Sequence, residues 1–181
     1  MFRRSFLITL IAISVVLGSA VDIYAAGVTI PASSTINVNT GTLIVPGDVA
    51  ITGTLQTTSG TIKVSGSWTN SGTFTAGTGT VEFYNSATSS TISGTTSFYN
   101  LTCTAGTKTL NFDAEIPTNN YRTNITNLLN FSGSLGSLIT LARSGGTGTD
   151  QWAINPAGNK GLTPGWTVAY VSVSNSVNLN D

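Results

Sequence analysis

The chain contains no histidine, one cysteine, and only seven basic and seven acidic residues among 181. Without histidine the commonest general base and metal ligand is missing. A single thiol, Cys103, cannot build a thiolate zinc site, a Cys–His nucleophile or an internal disulfide, so no covalent staple holds the fold. Charged residues make up 8% of the chain, against about 25% in ordinary soluble domains, and the formal net charge is zero. A neutral chain with its cations scattered has no electrostatic footprint for nucleic acid. Outside the N-terminal segment the carboxylates are Asp48, Glu82, Asp113, Glu115, Asp150 and Asp181, and no calcium-binding nonapeptide is written among them.

Threonine, serine, asparagine and glycine fill the space that charge leaves. Disordered chains are poor in β-branched and aromatic residues and carry high net charge. This chain instead alternates Val, Ile and Thr, with aromatics at intervals. The pattern predicts β structure under a neutral, hydroxyl-covered surface.

Residues 1–25 read as a secretory signal peptide: Arg3 and Arg4, an apolar run from Phe6 to Leu17, and small residues before cleavage after Ala25 or Ala20. The uncharged stretch is shorter than the roughly 20 residues a membrane-spanning helix needs. No cysteine follows it to carry a lipid. The mature chain is therefore expected to have no membrane span and to be secreted, extracellular or on the outer cell surface.

The informative feature is a repeat. Residues 27–45, 46–64 and 65–83 share a frame 19 residues long, ending in Gly41-Thr42-Leu43-Ile44-Val45, Gly60-Thr61-Ile62-Lys63-Val64 and Gly79-Thr80-Val81-Glu82-Phe83. The same frame matches Ile30 with Val49 and Trp68, Thr35 with Thr54 and Thr73, and Ile36 with Leu55 and Phe74. A fixed period near 20 residues, with strand-like pieces between glycines, describes a stacked solenoid. Alternation sends Leu43 and Val45 inward and Thr42 and Ile44 outward. One coil cannot bury enough apolar surface to offset the entropy of ordering it, so folding requires the stack.

Stacking in register predicts an outward column of Thr42, Thr61 and Thr80 and another of Thr35, Thr54 and Thr73. Leu43, Ile62 and Val81 should stack inside, and Lys63 should meet Glu82 as an exposed ion pair. After Phe83 the repeat loosens, so 26–112 is the regular part and 113–181 continues as less regular coils. The fold expected is all-β, a parallel β-helix with coils of about 19 residues. A β-sandwich, the alternative, would also show short strands with frequent turns, but has no reason to repeat whole strand–turn–strand units.

Ser65 to Phe83, Thr91 to Gly94, Phe98 to Thr102, Leu138 to Ser144, Gln151 to Asn155 and Tyr170 to Asn175 together resemble the Thr/Gly-rich β-helical repeat regions of large bacterial surface exoproteins, adhesin-like or autotransporter-like. The resemblance covers roughly residues 40–178. It implies a right-handed parallel β-helix that serves as a scaffold. Members of that class are far longer and carry a C-terminal anchor or export domain, so the resemblance implies a fragment or a short member. Polysaccharide-cleaving β-helices, by resemblance, need clustered carboxylates on one face. Asp48 aligns with Thr29 and Ser67 and founds no such cluster.

The remaining candidate cluster is Asp113 and Glu115, two residues apart, with Arg122; a solvated turn is the plainer reading of it. Gly145-Gly146-Thr147-Gly148 lacks the lysine and helix of a phosphate cradle and reads as a loop. Of Trp68, Trp152 and Trp166, the first aligns with core positions, and Trp166 is the one expected to be exposed for carbohydrate stacking. Cys103, in a strand-like run, reads as a small buried hydrophobe. Thr-x-Thr pairs (Thr52/Thr54, Thr73/Thr75, Thr78/Thr80, Thr102/Thr104) raise an ice-binding reading, but glycine at some middle positions points to corners. The expectation is a non-catalytic structural or adhesive surface protein, without metal or cofactor. Its partners would be other copies of itself or extracellular glycans and proteins. A polysaccharide-binding or polysaccharide-cleaving β-helix and an ice-binding protein are the alternatives.

Overall fold

The computed structural model describes residues 6–9, 14–16, 22–114, 122–145, 151–156 and 166–178. Among these residues there is no helix, and the strand ladders are all parallel, as in a β-solenoid.

Each lower turn of the chain visits three faces. The first face stacks 28–30, Val49–Ile51, Trp68–Asn70, Ser90–Ser93, Thr109–Asp113, Ile139–Ser144 and Val171–Val173. The second stacks Thr35–Asn37, Thr54–Gln56 and Thr73–Thr75. The third stacks 22–24, Thr42–Val45, Thr61–Val64, Thr80–Phe83, 100–103, 128–131 and Thr167–Ala169. Two short strands, Phe6–Thr9 and Ser14–Val16, pair with the first coil, and the strand Asp22–Ile30 runs through the expected cleavage position.

Parallel pairing in register makes identical positions meet. Leu43, Ile62, Val81, Leu101 and Leu129 form one inward column, all buried. Val45 meets Val64, and Val64 meets Phe83; further up, Cys103 meets Phe131. Cys103 is fully buried, the small hydrophobe its context predicts. Thr42, Thr61 and Thr80 stack outward, as do Thr35, Thr54 and Thr73. Lys63 pairs with Glu82 at 3.1 Å, a part-exposed bridge that contributes about 0.2–1 kcal/mol.

Corners between the second and third faces depend on glycine. A Cβ at Gly60 would stand 2.6 Å from the Gly41 carbonyl oxygen, and one at Gly79 would stand 2.7 Å from that of Gly60. The coils approach so closely there that no side chain fits.

The 19-residue frame fails at one place. The corner 31–34 between Ile30 and Thr35 is two residues longer than the corner 52–53 between Ile51 and Thr54. On the first face Val28 therefore meets Val49 and Ile30 meets Ile51, so Ile30 does not align with Val49 as the frame expects. A shift of two keeps the apolar side inward, because strand side chains alternate with period two. Asp48 accordingly lies beside Gly27 rather than Thr29, while Ser67 does neighbour it, donating its N–H to Asp48 Oδ1 at 2.7 Å.

Above the third coil the second and third faces merge. Thr96–Cys103 and Arg122–Ser132 are continuous strands with a register break between Phe98 and Asn100. The junction is filled by aromatics: Trp68 meets Phe74 edge-on at 4.9 Å and Phe98 at 5.4 Å between ring centroids. Trp68 is buried and donates from Nε1 to Thr96 Oγ1, so it is core, as its alignment implies.

Ile62→Ala should lower the free energy of unfolding by about 2–5 kcal/mol, by removing buried methyl groups from a central column. Its neighbour Thr61→Ala should stay within about 0.5 kcal/mol, because its side chain points outward. Guanidinium unfolding of both variants distinguishes the inward and outward columns, and equal losses would contradict the register.

Candidate functional site

The outward side of each strand carries the groups available to a ligand. On the third face Asn100 continues the threonine column, donating from Nδ2 to Thr80 Oγ1 at 3.1 Å. Asn127 in turn donates to Asn100 Oδ1 at 2.7 Å, and on the merged face Asn155 donates to Asn124 Oδ1 at 2.9 Å. The second face presents Thr35, Thr54 and Thr73 in one column and Asn37, Gln56 and Thr75 in the other. Neutral hydroxyl and amide groups thus repeat at the strand spacing of about 4.8 Å. Such an array can exchange hydrogen bonds with a polyol or another polar chain.

Of the candidate cluster, the described residues include Asp113 and the main chain of Arg122. Asp113 ends the strand Thr109–Asp113, half-buried, and its Oδ2 accepts the N–H of Gly94 at 3.2 Å. Burial pushes its carboxyl above the ordinary value of 3.8, partly opposed by the Gly94 bond. Arg122 opens the strand Arg122–Ser132, its Cα paired with Ala153, and its side chain lies outside the described residues. Glu115, Asp150, Asp181 and the glycines after Gly145 also lie outside them. Among the described residues no three carboxylate or thiol groups gather as metal ligands.

The tryptophans do not form a platform. Trp152 is buried, stacked on Phe112 with centroids 4.4 Å apart, and donates from Nε1 to the Ser174 carbonyl. Trp166, expected to be exposed, is half-buried and packs against the core. Of the Thr-x-Thr pairs, Thr73 and Thr75 share a strand with both residues exposed, whereas Thr52 stands at a corner.

Sequence reasoning missed Lys108. It is fully buried, and its Nζ donates to the main-chain carbonyls of Ser65 at 3.0 Å, Asn85 at 3.1 Å and Thr88 at 2.9 Å. Burial lowers its pKa below 10.5, and the Cys103 thiol pulls the other way. Cys103 is raised above 9.0 by its own burial, against a backbone bond to Ala105 and the charge of Lys108. The one sequence signal is a lysine where an alternating strand calls for an inward residue two positions before Leu110.

No family model, curated protein or solved structure matches the chain.

Asp113→Asn tests whether that carboxyl is more than a strand end. A raised native pKa means the folded state holds a proton that the unfolded state has already released. Stability from this group is therefore greatest below the ordinary carboxylate range and is lost as pH rises through the native pKa. Asp113→Asn should melt no lower than wild type at pH 7, with any advantage narrowing as pH falls below the ordinary value of 3.8. Thermal melts at the two pH values check this; an advantage that widens in acid contradicts the assignment.

Proposed function

We propose that this chain is a non-catalytic structural or adhesive β-solenoid, secreted or displayed at the cell surface, that works by repetition of neutral polar groups. The observation that carries the reading is the outward column of Thr42, Thr61, Thr80 and Asn100 on four consecutive coils. Each group contributes little alone, and a partner with matching repeats engages several together. Glycans and further copies of the chain are the partners of suitable chemistry.

A second copy is favoured by the last described coil. Val168 sits above Phe131 and Val173 above Leu141, so both continue interior columns, yet they are 50% and 49% exposed. Tyr170, between the strands Thr167–Ala169 and Val171–Val173, is exposed as well. Among the described residues no strand pairs above Thr167–Ala169 or Val171–Val173, and such column ends are the surface on which another coil would stack.

Ice binding is a second reading, supported by the second face. There three strands hold an unshifted register, and Thr73 and Thr75 are both outward. Thermal hysteresis of the folded protein tests it.

Sedimentation velocity across a concentration series should show reversible association, weakened about tenfold or more in Val168→Lys/Val173→Lys, a change of ~1.4 kcal/mol or more. A single monomer boundary at the highest concentration for the wild-type chain would contradict self-association. A glycan array tests the adhesive part separately, with Thr61→Ala/Thr80→Ala expected to lose signal without losing stability.

A further inference from the structure

Three successive corners join the third face to the first: 65–67, 84–89 and 104–108. Eight residues separate Phe83 from Ile92 where three separate Val64 from Trp68 below, so Trp68 meets Ile92, 24 positions on. The additional residues swing outward, with Asn85 to Ser89 exposed and Asn85 at φ +66°. That excursion takes the carbonyls of Asn85 and Thr88 out of the regular ladder and turns them toward the same point as the Ser65 carbonyl below. Buried carbonyls without donors are costly. Lys108, from the corner above, reaches back across the middle corner and supplies one N–H to each oxygen, using all three of its donors. Thr88 Oγ1 and Ser90 Oγ add bonds to the Ser65 carbonyl at 2.7 and 3.2 Å, fixing the oxygen in place.

Main-chain carbonyls converging at these distances replace the hydration shell of a large monovalent cation. The structure assigns this corner as an oxygen cage for an ammonium-type cation, filled from within by Lys108 and tying three successive coils together. The charge is stabilised by carbonyl dipoles converging from two lower corners, so the cage forms only once all three corners are stacked. Shortening Lys108 leaves a site whose ligand class is a primary ammonium ion.

Lys108→Ala tests the cage by chemical rescue. Its thermal midpoint should fall well below that of wild type. It should then rise saturably with ammonium or methylammonium chloride, but not with tetramethylammonium chloride at equal concentration, which is too large to enter. Wild type should show no such discrimination. A variant as stable as wild type, or one that responds equally to all three salts, overturns the assignment. Should Lys108→Ala fail to fold, acylation of wild-type lysines provides an independent test. Lys108 should be modified at least about 100-fold more slowly than Lys63 in the native protein, because its amine is reached only by local opening. Equal rates at the two lysines overturn the assignment.

Discussion

Parallel in-register pairing is the constraint from which the rest of this molecule follows. Each strand takes both hydrogen-bond partners from coils above and below, so a position is buried or exposed together with its counterparts. Leu43, Ile62, Val81, Leu101 and Leu129 form a column because the ladder leaves them no other place. The same rule stacks threonines outside and forbids a side chain at Gly60. Coil length varies chiefly at corners, where residues can be added without moving the ladder, and once within a strand, at the register break after Phe98.

That freedom explains what is legible in the sequence and what is not. The Gly-Thr-apolar units announce the third face, and the Lys63–Glu82 contact follows from their spacing. A fixed frame misplaces the first face by two positions at Ile30, because the longer corner at 31–34 absorbs residues that the frame counts as strand. Both registers bury the same kind of side chain, so the alternation of Val28, Ile30, Val49 and Ile51 cannot choose between them. Where the second and third faces merge, the alternation slips: Phe98 and Leu101 both point inward though three residues apart, with the register break between Phe98 and Asn100.

For Lys108 the sequence offers an inward position two before Leu110 but not what the amine meets there. Its partners are carbonyl oxygens at positions 65, 85 and 88, and every residue type carries that oxygen. Side-chain identities therefore do not encode the cage that the Lys108 amine fills. Trp166 shows the converse limit, since an aromatic near a turn reads as exposed until a coil is found beneath it. Asp113 stands out for its neighbours in sequence, but its described contact is the Gly94 amide of the preceding coil.

The columns of threonine and asparagine have a consequence for where such a rod can operate. Attraction between charged surfaces fades as dissolved ions crowd around them, within about 8–10 Å at the ionic strength of body fluids. A surface built from Thr42, Thr61, Thr80 and Asn100 offers dipoles in contact instead. On the adhesive reading proposed above, contacts made through these dipoles would hold alike in fresh water and in brine.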